Sequence, residues 1–151
     1  AHARFSKIGK ERFIKKYHAI VHGNFESTEL TGLIDEPIGK IDSGVKRGVI
    51  PDGKSAQTEY KVLKQVPGAS LVELRLLTGR THQIRVHMAY LGHPLYGDQL
   101  YGVKDSFSRQ ALNCFYLSFP DPVNSEKDKT VEISDPSDMQ NLWQKLINKK
   151  F

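Results

Sequence analysis

The sequence has a single cysteine, a single tryptophan and two methionines in 151 residues. One cysteine, Cys114, excludes an internal disulfide framework and fits a reducing, cytoplasmic setting. No apolar run approaches the roughly 20 residues that a bilayer-crossing helix requires, so a membrane is not among the expected partners. The stretch AHARFSKIGKERF at the N-terminus lacks the apolar core of a signal peptide. There is no internal repeat and no low-complexity tract. Several catalytic signatures are missing as well. No Gly-x-Ser-x-Gly elbow occurs, and TGRT at residues 78–81 lacks the glycine and lysine spacing of a triphosphate loop.

What is present describes one ordinary globular domain. A hydrophobic share of 38% beside 26% charged residues argues against global disorder, and the length suits one core rather than two. Lysine and arginine exceed aspartate and glutamate, 22 to 17, for a formal charge of +5 and an isoelectric point near 9.3. Such a surplus attracts polyanions, of which nucleic acid is the commonest.

Periodicity then sorts the chain. Residues 1–10 read as a helix whose start is missing, or as a frayed end. FIKKYHAIVHG alternates, with Tyr17, Ala19 and Val21 on one strand face and Lys16 and His18 on the other. IDEPIGKIDSGVKRGVIPDGK reads as a long basic loop with short strands. TEYKVLKQVPGASLVELRLLTG is a hairpin turning at Pro67-Gly68, with Tyr60, Val62 and Val66 alternating in its first strand and Val72, Leu74 and Leu76 in its second. Residues 81–91 change to helical period through Ile84, Met88 and Leu91. Thr81 caps the start, and Gly92 with Pro94 stops the helix. RQALNCFYLSFPDPV is a buried strand and TVEIS a short one. A final helix has Ser137 as its cap and Met139, Leu142, Trp143 and Leu146 as its stripe. The class is α+β with antiparallel pairing and few helices.

Six histidines raise the question of metal. His82 and His87 are five apart on the helix and point different ways, and Gln83 is no carboxylate, so the zinc-protease pattern fails. His18 and His22 share a strand face without a third ligand nearby. Cys114 lies in an apolar alternation and reads as packing. Arg85 stands out, because it borders the stripe that faces the core, where a guanidinium needs a carboxylate partner or must snorkel to water.

The string LVELRLLTGRTHQIRVHMAYLGHPLYGDQLYG resembles the hallmark segment of RluA-type (ribosomal large-subunit) RNA pseudouridine synthases. KKYHAIVHG, VIPDGKSAQTEYKVL and RQALNCFYLSF resemble further segments of that family, in the same order. The resemblance implies a mixed, largely antiparallel sheet with flanking helices and a central RNA-binding cleft. It implies isomerisation of uridine in RNA, ribosomal RNA before transfer RNA, without metal or organic cofactor.

Carried over by position, the two catalytic residues are Arg85, which matches the arginine that pairs with the family's catalytic aspartate, and Tyr17, which matches the tyrosine that packs on the target base and assists proton removal from C5. Leu112 supports the pocket, and Ile84, Arg80, His82 and Gln83 join it as substrate-binding positions. Asn113-Cys114 stand where the family commonly has His-Ala. The His-Arg-Leu-Asp motif that carries the aspartate is absent from these 151 residues, and neither Asp35 nor Asp98 sits in its context.

The resemblance therefore implies the C-terminal part of a catalytic domain, inactive alone. The alternative is a non-catalytic RNA-binding module on the same scaffold. Lys46, Arg47, Lys54 and Arg80 are candidates for phosphate contacts. Arg85, deprived of the family's aspartate, is expected to turn to solvent, hold an anion or meet a carboxylate of a second copy.

Overall fold

The structure, a computed structural model, describes residues 13–149. The expectation for residues 1–10 lies outside them. In chain order the elements are β1 (Ile14–His22), β2 (Thr31–Asp35), β3 (Ile38–Lys40), β4 (Arg47–Val49), β5 (Gln57–Val66), β6 (Ala69–Leu76), α1 (Gln83–Tyr90), β7 (Leu112–Pro120), β8 (Asp128–Glu132) and α2 (Ser137–Asn148). Six strands form one sheet in the order β2-β5-β6-β1-β7-β8, and β3 pairs with β4 in a separate hairpin. Every ladder among the described residues is antiparallel. This is the α+β arrangement the patterning predicts.

Strand alternation gives the sheet two working faces. On one, Ala19, Val21, Val72 and Leu74 bury themselves against Ile84 and Met88 of α1, with Tyr17, Tyr60, Val62, Leu76 and Leu112 packed around them. On the other, Ile20 packs with Met139 and Leu142 of α2, and Leu71, Trp143 and Leu146 close the cluster. Each fully buried aliphatic side chain contributes on the order of 1.5–3 kcal/mol, so the two clusters fix both helices to the sheet. Beyond α2 the second face is open and polar, a trough of about 520 Å³ lined by Lys16, Glu59, Lys61, Glu73 and Arg75 among others.

The β5–β6 hairpin turns at Pro67-Gly68 as predicted, with Gly68 at φ 84°, where a side chain would be strained. Its first strand departs from simple alternation. The register shifts between Val62 and Lys64, so Leu63 is an extra residue. Val62 faces Val72, but Val66 faces Ala69, which puts Val66 on the opposite face from Tyr60 and Val62.

The cap expectations are corrected too. α1 begins at Gln83 with His82 in the N-cap position, and Thr81 supplies no cap. The Gln83 side chain instead turns back, its Oε1 accepting from the Arg80 amide at 3.0 Å and from the Thr78 hydroxyl at 2.7 Å. In α2 the N-cap position falls on Pro136, and Ser137 is the first helical residue. Asp138 in the first turn accepts the Met139 amide, a favourable site for a carboxylate.

Candidate functional site

Tyr17, Ile84 and Leu112 belong to one apolar cluster. Tyr17 and Leu112 lie on the α1-facing side of neighbouring strands, where Ala19 pairs with Leu112 and Tyr17 with Cys114. All three pack in the same apolar cluster, with Ile84 buried at the start of α1. Burial, and then the neighbouring Cys114, raise the Tyr17 phenol above its ordinary pKa, so it is protonated at neutral pH.

Arg85 follows Ile84, and the structure gives it an internal partner. Its Nε donates to Asp98 Oδ2 and its Nη2 to Oδ1, both at 2.9 Å. Asp98 is fully buried, whereas the arginine side chain retains 16% exposure. The hydrogen bonds to Asp98 hold the guanidinium above its usual pKa despite burial, so the pair stays ionised on the arginine side. The expectation of solvent, an anion or a second copy is therefore overturned: the carboxylate comes from the same chain, 13 residues downstream. The turn carrying it is tight, with Gly92 and Gly97 at positive φ. Arg85 Nη1 makes no hydrogen bond among the described residues.

Tyr101 binds this pair to its surroundings. Its ring lies over the Arg85 guanidinium, 5.0 Å from centroid to Cζ, and its backbone amide donates to Asp98 Oδ1 at 3.2 Å. Its hydroxyl accepts the Arg47 amide at 2.9 Å, so its own proton is free to go to His82 Nδ1 at 2.7 Å. That direction leaves the His82 proton on Nε2 in the neutral ring. Burial, then Arg85 and Arg47, lower the His82 pKa and favour that neutral form. His82 also sits at φ 58°, the single non-glycine residue with positive φ among those described. A β-carbon in that region costs energy, and such geometry is concentrated at working sites.

Gln83 has a different setting. It is buried, its Oε1 is occupied as described, and its Nε2 donates to the Gln57 carbonyl and to Thr58 Oγ1 at 2.9 Å each. Thr58 in turn donates to His87 Nδ1 at 2.8 Å, and His87 Nε2 donates to the Glu36 carbonyl at 2.9 Å. This chain ties α1 to β5 and to the segment after β2. It leaves the Gln83 amide no free group for a ligand. The remaining described histidines are also engaged: His18 with Asp135, His22 with Asp105, and His93 with the His22 carbonyl. Asp135 further accepts from Asn113, so that residue braces β1, β7 and the entry to α2.

Arg80, Arg47 and Lys54 come together elsewhere. With Lys40 they line a cleft of about 530 Å³ between the β3–β4 hairpin and the 79–81 loop. Lys46 is not among its lining residues. The sequence holds a signal here that periodicity overlooks: GVIPDGKS, residues 48–55, has the Gly-x4-Gly-Lys-Ser spacing of a triphosphate loop. Its context is wrong for that role, because the chain runs on into β5 and no helix N-terminus follows. Gly53 is required for packing, since a β-carbon there would lie 2.6 Å from the Ile38 carbonyl carbon.

Comparison with known proteins places this geometry in a family. The family model for RNA pseudouridylate synthase matches residues 1–90. The chain is 46% identical over 129 residues to an uncharacterized RNA pseudouridine synthase, YjbO, of Bacillus subtilis, covering 83% of this chain and 45% of that protein. It is 38% identical over 146 residues to ribosomal large subunit pseudouridine synthase D of Zymomonas mobilis, covering 88% and 45%. Human RNA pseudouridylate synthase domain containing 1 superposes with a TM-score of 0.75 at 28% identity, over 97% of this chain and 70% of that one. The chain thus spans about 45% of the length of these curated relatives.

Proposed function

Because the chain belongs to the RNA pseudouridylate synthase family, we propose that it is the C-terminal part of a catalytic domain that isomerises uridine to pseudouridine in structured RNA. The observation that carries this reading is the packing of Tyr17, Ile84 and Leu112 in one apolar cluster, with Arg85, the next residue of α1 after Ile84, held by two hydrogen bonds to Asp98. Tyr17 offers a flat face to a base turned out of its stack, and Ile84 and Leu112 give that base apolar walls. The base leaves the sugar at N1, turns, and rejoins through C5, whose proton must then depart. A protonated phenol contributes to that step by hydrogen bonding rather than as a ready base.

The reaction also needs a nucleophilic carboxylate, and we place it outside these 151 residues, since the His-Arg-Leu-Asp motif is absent from them. Arg85 meets it with Nη1, the guanidinium nitrogen left over from the Asp98 pair. The names of the ribosomal large-subunit relatives favour ribosomal RNA as the target, and a cytoplasmic site of action accords with such a substrate.

One observation favours the second reading, a binding module without catalysis. Arg85 is already neutralised by Asp98 and needs no further carboxylate to be stable. Release of the C5 hydrogen from RNA labelled at that position separates the two. The intact protein should release it, and the 151-residue polypeptide alone should not. RNA binding without release by the intact protein would establish the module instead.

A further inference from the structure

We propose that Asp105 is a positioning residue for the isomerisation. Its side chain buckles the loop 97–105 shut, and that loop carries both residues that hold Arg85. The proposal rests on the reading of Arg85 given above and adds to it the group that fixes where Arg85 is held.

The buckle is made at the ends of the loop. Asp105 Oδ2 accepts the Gly97 amide at 2.9 Å, and Oδ1 lies 3.1 Å from the same nitrogen while accepting the Phe107 amide at 2.9 Å. A compact loop closed at its base in this way is a rigid unit. Within it, Asp98 holds Arg85 by two bonds of 2.9 Å, and Tyr101 lays its ring over the guanidinium and gives its amide to Asp98. The Gly102 amide closes on the Asp98 carbonyl at 3.0 Å. Gly97 directly precedes Asp98, so a shift of Gly97 reaches the carboxylate within one residue. Gly97 has little room to move, since a β-carbon there would overlap the Arg109 carbonyl.

The buckle is in turn fastened to the sheet. His22 Nε2 donates to Asp105 Oδ2 at 2.8 Å, and the His22 ring stacks on Tyr96 at 3.7 Å. His22 ends β1, a central strand paired on both sides and the strand that carries Tyr17. Asp105 thus sets the frame of Arg85 relative to the frame of Tyr17. With 12% of its side chain exposed, it leaves water little space to stand in for it. Its hydrogen bonds go to Gly97, Phe107 and His22 and, among the described residues, none goes to Arg85, so it acts through Asp98 and Tyr101. The role needs acceptor geometry rather than charge. An amide oxygen can take Gly97 and Phe107, while the amide nitrogen donates to the other tautomer of His22.

The test uses the intact protein and two readouts: C5-hydrogen release from labelled RNA, and hydrogen exchange at the Arg85 Nε–H followed by NMR. Asp105→Ala should lower kcat about 100-fold, the loss that a misplacement of about 1 Å can cause, with KM for RNA unchanged. Exchange at Arg85 should quicken in the same variant. Asp105→Asn should stay near wild type in both readouts. His22→Phe keeps the stack on Tyr96 and frees the buckle from β1, so it should move both readouts the same way by less. It decides the matter if the alanine variant does not fold. Unchanged turnover and exchange in Asp105→Ala, or in His22→Phe where that is the variant that folds, would overturn the proposal. Slower turnover with unchanged Arg85 exchange would overturn it too, as would faster exchange shared by amides throughout the sheet. Absence of release by the wild-type protein would instead remove the enzymatic reading, and exchange at Arg85 would still decide the buckle.

Discussion

Asp98 and Arg85 are joined by two parallel hydrogen bonds of 2.9 Å, with the carboxylate fully buried and the guanidinium at the surface of the core. The pair has two uses at once. It makes a partly buried arginine tolerable, and it aims the remaining nitrogen in one direction.

Removing the carboxylate's charge should therefore be costly. Asp98→Asn leaves Arg85 without its counter-charge, and breaking a buried pair from one side costs about 3–5 kcal/mol. Urea unfolding of the variant should show a loss in that range. A loss below about 1 kcal/mol would mean that Arg85 finds compensation elsewhere and that Asp98 is not its principal partner.

Tyr101→Phe keeps the ring over Arg85 and removes the hydroxyl that links Arg47 to His82. Both groups left behind are partly exposed, so water can replace it and the stability cost should be near 1 kcal/mol. The specific effect is on His82, whose Nδ1 loses its donor and hence its fixed tautomer. Nitrogen NMR of the imidazole should move from a single Nε2–H form toward a mixture. An unchanged tautomer would show that Tyr101 does not set it.

Much of this is legible along the chain, for local reasons. The alternation around Tyr17 and around Val72 and Leu74 follows from two-residue periodicity, and Ile84 and Met88 from helical spacing; both are set by neighbours in sequence. What stays hidden depends on packing. The bulge at Leu63 breaks the alternation into which Val66 falls by simple counting. Strand β2 escapes a pattern search because Thr31–Asp35 is a half-exposed edge with only Ile34 buried. Asp98 is distant from Arg85 in context, and only the turn through Gly92 and Gly97 brings them together. Arg80 and Lys54 are nameable as cations, but that they share a cleft is a property of the fold.

His87 predicts an acid-sensitive core. Burial lowers its pKa below the usual 6.5, while its hydrogen bond to the Glu36 carbonyl opposes this only in part. The folded state then binds fewer protons than the unfolded state just below pH 6.5. Its contribution to stability is present above that pH and lost as pH falls through the folded value. His82 is shifted in the same direction, whereas the depressed carboxyls of Asp105 and Asp138 act only below the usual 3.8. The melting temperature should fall between pH 7 and pH 5, and His87→Gln should flatten that dependence. An NMR titration placing the His87 imidazole above 6.5 would contradict the assignment.

Tyr17 allows its ring and its hydroxyl to be separated. The ring is half-buried in the cluster with Ile84 and Leu112, so Tyr17→Ala removes both a wall of the pocket and core packing. That variant should lose stability by about 3 kcal/mol or more along with RNA turnover. Tyr17→Phe keeps the ring and its packing and removes only the phenol. The phenol is protonated at neutral pH, and burial only raises its pKa further, so its contribution is a hydrogen bond at the reacting base, of the kind whose removal costs on the order of 10²-fold in rate. The phenylalanine variant of the intact protein should thus bind RNA with wild-type affinity and melt normally, yet release the C5 hydrogen about 100-fold more slowly. Full-rate release would leave Tyr17 as a stacking platform alone. Weakened RNA binding with normal melting would instead place the hydroxyl on the RNA before any chemistry begins.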